Sequence, residues 1–108
     1  MKIKYSYHED LLKRLKNPKY AMGYLNEAFR DADRRVFLLA LRDVVGAYGG
    51  MSHFSRQTKI PRISLYRMLS EKGNPEIKNV DTMLKPMGLC LVVAPLHRSD
   101  ASHLRQAA

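Results

Sequence analysis

The chain has no tryptophan, a single cysteine and only 10 acidic residues set against 19 basic ones. One cysteine cannot close an internal disulfide, which excludes the cross-linked framework of small secreted domains. Cys90 lies in the apolar run LCLVVA, where a buried, inert thiol is the expectation. Long hydrophobic runs are absent too. Nothing approaches the roughly 18 to 20 apolar residues of a membrane span, and the opening MKIKYSYHEDLL lacks the apolar stretch of a leader peptide. A cytoplasmic protein without membrane contact is expected. His8, His53, His97 and His103 are scattered, with no second histidine or cysteine at metal-ligand spacing. Nucleophile elbow, phosphate loop and paired catalytic carboxylates are also missing. The chain therefore reads as a binding protein, not an enzyme, with no metal or cofactor.

What is present in excess is positive charge, a formal +9 over 108 residues. Residues 1–20 hold six basic and two acidic side chains, 21–50 four and four, 51–88 seven and three, and 89–108 two and one. The excess thus flanks a neutral centre. A basic surface steers polyanions toward it and favours nucleic acid, although charge alone does not separate DNA from an acidic protein. With 45% hydrophobic residues, one ordinary globular domain is expected.

Helical periodicity organises that domain. Leu11, Leu12 and Leu15 suggest a helical turn or two. Asn17 followed by Pro18 is a helix start, because asparagine caps free amides and proline fits the first turn. Tyr20, Ala21, Tyr24, Leu25, Ala28 and Phe29 then make one stripe of a helix over about 18–31. Asp33 can cap the next helix, RRVFLLALRDVVGAY. Its Val36, Phe37, Leu38, Leu39, Leu41, Val44 and Val45 imply a central helix enclosed by the others. Gly49 and Gly50 end it.

The following residues, MSHFSRQTKIPRISLYRMLS, read as two short helices with almost no linker, the second starting at Pro61 or Arg62. This is a helix-turn-helix pattern. Met51, Phe54 and Thr58 share one face of the first helix and Ile60 plugs the turn. Leu65, Met68 and Leu69 form the inward stripe of the second. At 100° per residue, Arg62, Ile63, Tyr66, Arg67 and Ser70 share the opposite sector. Arginine can pair bidentately with guanine, and apolar groups can meet a thymine methyl. Arg62, Ile63, Tyr66 and Arg67 are accordingly the candidate base contacts. Ser52, His53, Arg56, Ser64, Ser70, Lys72 and Lys78 are the candidate phosphate contacts, which position the protein without reading sequence. An interface with another protein would also explain an exposed Ile63 and Tyr66.

The ordered runs NPKYAMGYLNEAF, FLLALRDVVGAYGGMSHFSRQT, SLYRMLSEKGNPEI and MLKPMGLCLVV give the chain a resemblance to the Xre/Cro-type helix-turn-helix proteins. Within these it resembles the addiction-module antidote proteins related to HigA. The resemblance spans about residues 17–94. It implies a mainly α fold: a five-helix Cro/repressor-like domain that neutralises a RelE/HigB-like toxin and represses its own operon. Three positions depart from the pattern. Lys59 stands where glycine commonly makes the turn, Pro61 where serine commonly caps the recognition helix, and Pro86 within the last helix. Lys59 is expected to adopt the left-handed conformation. Pro86 should end or bend a helix running from about Glu76 to Lys85, whose stripe is Val80, Met83, Leu84 and Met87.

The resulting organisation is an N-terminal, weakly helical extension (1–16), the helix-turn-helix domain (17–94) and a tail (95–108) expected to be flexible. Residues 89–94, LCLVVA, are short and rich in branched side chains, so a C-terminal β-strand is expected. A lone strand needs a partner, either its own copy in a homodimer or a toxin strand. The function expected is a repressor of a double-stranded DNA operator that also serves as antitoxin. The alternatives are a phage-type repressor without a toxin, or the same fold used only to bind protein.

Overall fold

The computed structural model describes residues 2–96, with side chains from Tyr7 onward. The C-terminal tail beyond residue 96 lies outside the described residues. Among the described residues six α-helices follow one another: α1 Lys2–Leu15, α2 Pro18–Phe29, α3 Arg34–Ala47, α4 Gly50–Thr58, α5 Arg62–Met68 and α6 Ile77–Leu84. A single 3₁₀ turn, Lys85–Met87, completes the series. Among the described residues there is no strand.

The helix starts form as local chemistry dictates. The Asn17 side chain accepts the Lys19 amide at 2.9 Å, with Pro18 in the first turn of α2. Asp33 accepts the Arg35 amide at 3.0 Å and its guanidinium at 2.7 Å. Bonds from the Arg35 side chain and amide hold the Asp33 carboxyl down at about 2. α1 runs longer than the turn or two marked by its leucines. Its Leu15 is fully buried, and the helix packs against both α2 and α3.

One core unites the helices. Leu15, Ala21, Leu25, Leu38, Leu41, Val44, Val45, Phe54, Leu65, Leu69, Val80, Met83, Leu84 and Met87 are all buried, and every helix from α1 to α6 contributes to the cluster. Burying each large apolar side chain is worth about 1.5–3 kcal/mol. The enclosure of α3 is incomplete, however. Val36 and Leu39 are exposed, Leu39 by 56%. With Asp43 and Gly46 they occupy one stripe of the helix, the arc left over once α1, α2 and α4 have packed around it. Tyr24 on α2 donates its hydroxyl to Asp43 Oδ2 at 2.8 Å across the edge of that arc. Burial, followed by this bond, pushes the phenol up to about 12.

The last described segment meets the expectation at Pro86 and departs from it at the strand and at Cys90. Pro86 stops α6 at Leu84 and tightens the next three residues into the 3₁₀ turn, the expected effect of a residue without an amide hydrogen. Gly88, at φ 75°, then turns the chain away. The strand expected over 89–94 is not formed, because a strand exists only against another and the described residues offer none. Cys90 is exposed, not buried as expected. Among the described residues after Gly88 only Leu89 rests on the core; residues 90–96 are exposed, with the Leu91 amide donating to Asp81 Oδ1 at 3.1 Å.

Candidate nucleic-acid interface

The interface is built from α4, a three-residue turn and α5. Gly49 and Gly50, at φ 111° and 86°, make the sharp exit from α3 that starts α4. A side chain at Gly49 would also collide with His53, whose Cβ lies 2.9 Å from the position a Cβ would take. Lys59 ends α4 at φ 65°, the left-handed conformation expected there, and its amide donates to Ser55 O at 2.9 Å. The turn is closed by side chains. Ser55 donates its hydroxyl to Ile60 O at 2.7 Å, Thr58 donates to Phe54 O at 2.6 Å, and the Ile60 amide donates to Thr58 Oγ1 at 3.3 Å. These bonds compensate for the missing turn glycine. Pro61 precedes α5 with extended torsions and supplies no side-chain cap. Its carbonyl accepts the Ser64 and Leu65 amides at 2.9 and 3.1 Å.

α5 is held by one face. Leu65 and Leu69 are buried and Met68 is partly so. On the opposite face Arg62 and Arg67 are exposed, with Ile63 70% and Tyr66 56% exposed. The four candidate base contacts are therefore presented together. Ser52 on α4 joins them, because Arg62 Nη1 donates to its hydroxyl at 2.7 Å. Of the other candidate phosphate contacts, Arg56, Lys72 and Lys78 are exposed, while His53 and Ser64 are half-buried. His53 stands edge-on to Phe54 with ring centroids 6.1 Å apart. Ser70 spends its hydroxyl on Arg67 O at 2.8 Å, which makes it part of the end of α5. Lys72 and Lys78 sit in the connection after α5 and at the start of α6, not on α5 itself.

Charge is uncompensated on this side. Arg56, Lys59, Arg62, Arg67, Lys72 and Lys78 form no ion pair among the described residues. Two of the stretch's three acids are already engaged: Glu71 with Arg35 at 3.4 Å and Asp81 with Lys85 at 2.9 Å. Arrays of unpaired cations with donors directed outward suit a polyanion.

The sequence did not reveal how α5 is fixed from behind. Arg42 of α3 donates its guanidinium to the Leu69 carbonyl at the end of α5, and Arg35 reaches Glu71 just beyond. Cations at a helix C-terminus complement its exposed carbonyls. Spacing carried part of this signal, since Arg35 and Arg42 are seven residues apart and share a face of α3. Their target was not readable. Among the described residues, no group of three histidine, cysteine, aspartate or glutamate side chains could hold a metal ion, and no helix is long and apolar enough to cross a membrane.

A protein of Haemophilus influenzae (strain ATCC 51907 / DSM 11121 / KW20 / Rd), described as an uncharacterized protein, is 32% identical over 80 residues, 74% of this chain and 81% of its own length. No solved structure matches. The model of one family, described as "probable addiction module antidote protein", matches residues 6–95, which takes in α2 to α6 and the interface built on α4 and α5. The chain therefore belongs to the family of addiction module antidote proteins.

Proposed function

We propose that the chain is the antitoxin of a toxin–antitoxin pair that also represses its own operon, with α4 and α5 acting as a helix-turn-helix and α5 as the recognition helix. The observation that carries the DNA-binding part is the outward face of α5. Arg62, Ile63, Tyr66 and Arg67 are all exposed there beside cations that form no ion pair among the described residues, and nothing in the core requires them. Exposed arginines beside apolar groups match the donor pattern of guanine and the methyl of thymine. The antidote family implies a toxin partner. The RelE/HigB type of that toxin rests on the resemblance in sequence.

A seven-residue helix reaches only a few base pairs, so the reading includes a homodimer on an inverted repeat with half-sites about 34 Å apart. The molecule measures 37 × 36 × 26 Å, dimensions that allow two copies side by side to meet successive major grooves. The deciding experiment titrates the protein with its own promoter duplex and a scrambled duplex over a range of salt. A repressor shows tighter binding to the promoter and a steep fall of affinity with salt as counterions are released. A module that binds only protein through Ile63 and Tyr66 shows neither.

A further inference from the structure

α3 is packed by α1, α2 and α4, yet one side of it meets no neighbour among the described residues. Val36, Leu39, Asp43 and Gly46 stand there, at the spacing of successive a and d positions of a heptad. Such a seam is what one helix lays against another. Val36 is 38% and Leu39 56% exposed, Gly46 is exposed and Asp43 half-buried. From Val36 to Gly46 the seam runs about 15 Å at 1.5 Å per residue, roughly three turns of a second helix.

Nothing in the fold asks for the glycine. A Cβ at Gly46 would meet no atom within 4 Å, and its φ is not positive. Glycine weakens a helix relative to alanine, but it allows another backbone to come close. Asp43 adds a specific element. Its Oδ2 accepts the Tyr24 hydroxyl at 2.8 Å, which fixes the carboxylate between Leu39 and Gly46. Among the described residues it forms no ion pair, in a chain with 19 basic side chains. The neighbouring charges keep this side of α3 from being basic. Arg35 is shared by Asp33 and Glu71, and Arg42 is turned to Leu69 O. Three carboxylates thus stand against two guanidiniums on a molecule of net charge +9. DNA does not suit such a surface, whereas an apolar helix bearing a cation does. A second copy of this chain brings no cation to the seam. Pairing two seams sets Asp43 against Leu39 or against another Asp43, burying a carboxylate without compensation.

We propose that this seam is where the toxin docks, through a helix that packs aliphatic side chains on Val36 and Leu39, passes closely over Gly46 and places a lysine or arginine on Asp43. A charged group within an apolar seam fixes the register of the two helices. The inference rests on the antitoxin reading of the preceding subsection, and it uses none of the residues assigned to DNA.

Each open reading frame beside the chain's own is co-expressed with the full chain, and the product that co-purifies is the toxin used in calorimetric titrations. Leu39→Lys puts a charge in the apolar contact and Gly46→Arg fills the close approach. Each should weaken toxin binding about 30-fold or more, the loss carried by a central interface residue. Asp43→Asn keeps an acceptor for Tyr24 and removes only the charge. It should cost about tenfold and flatten the salt dependence of toxin affinity, which a merely structural role would leave unchanged. All three sites lie outside the core, so the melting temperature and promoter affinity of each free variant should match wild type. A toxin held equally by wild type and all three variants overturns the seam while leaving the antitoxin reading standing. Variants that dissociate a homodimer in sedimentation but keep their toxin overturn it in favour of a second copy. A wild-type chain with which no neighbouring product co-purifies overturns the antitoxin reading and the seam together.

Discussion

Replacing Arg62 or Arg67 with alanine separates recognition from folding, because both side chains stand outside the core. Each is exposed, and among the described residues the Arg62 side chain makes one hydrogen bond, the exposed one to Ser52 at 2.7 Å. Surface changes of this kind alter stability by about 0.5 kcal/mol or less, so each variant should melt within a few degrees of wild type. Loss of a bidentate base contact removes about 1–3 kcal/mol of discrimination, which is about a 5- to 150-fold fall in the ratio of promoter to scrambled-duplex affinity. The Ser52 bond adds a control. Ser52 orients the Arg62 guanidinium before any DNA arrives, so Ser52→Ala should weaken promoter binding less than Arg62→Ala, and the double variant should lose no more than Arg62→Ala alone. Anisotropy titrations at one fixed salt concentration measure the four variants and the wild type. An unchanged specificity ratio in both arginine variants, with melting temperature preserved, refutes the assignment of α5 as the reading helix.

Neutralising Arg56 or Lys72 should weaken binding to promoter and scrambled duplex alike, and should lower the slope of log affinity against log salt by about one per contact; titrations at several salt concentrations show it. Gly73→Ala should lower the melting temperature, since its Cβ would fall 2.1 Å from Met68 O and the end of α5 must shift. Overpacking of this kind costs about 1–3 kcal/mol, visible in a thermal melt by circular dichroism. Tyr24, raised to about 12 from an ordinary 10 by burial and by Asp43, stabilises the fold through its neutral form. That contribution is complete below pH 10 and lost as pH rises through 12, so urea midpoints of wild type and Tyr24→Phe should converge over this interval. Asp33, lowered to about 2, acts in the opposite sense. Its stabilisation is present above about pH 4 and lost as pH falls through 2, and Asp33→Asn should flatten an acid titration of stability there.

Legibility in the sequence followed the range of the interactions involved. Helix starts depend on neighbours two or three residues apart, so Asn17, Pro18 and Asp33 could be read directly, as could the left-handed Lys59 and the stop at Pro86. The inward stripes of α4, α5 and α6 were equally plain, because their period of 3.6 residues is a local property. What could not be read was where a helix finds no neighbour. Val36 and Leu39 are as apolar as Leu38 and Leu41, and only the placement of α1, α2 and α4 decides which of them meets water. Cys90 failed for the same reason: LCLVVA has the composition of a buried strand, but Gly88 turns it away from the bundle. Within the site, the sequence identified the outward face of α5. It did not identify Arg42, whose role requires knowing that the end of α5 arrives beside α3.

That placement joins the neutral part of the chain to its basic part. Residues 21–50 contain four basic and four acidic side chains, and several are paired at home: Glu27 with Arg30, Asp33 with Arg35, and Asp43 with Tyr24. Two arginines of α3 also reach the end of α5, Arg42 through Leu69 O and Arg35, besides its pair with Asp33, through Glu71. A helix of seven residues has too few hydrogen bonds to hold itself in water, so the direction of Arg62 and Arg67 is set by what grips α5 at its buried face and at its end. The buried face supplies adhesion, while Arg42 and Arg35 supply orientation, since a guanidinium fixes its acceptor in direction as well as distance. A ligand that pressed on the exposed stripe of Val36 and Leu39 would touch the same helix that carries both arginines. The surface left bare on α3 is therefore mechanically continuous with the one proposed to face DNA.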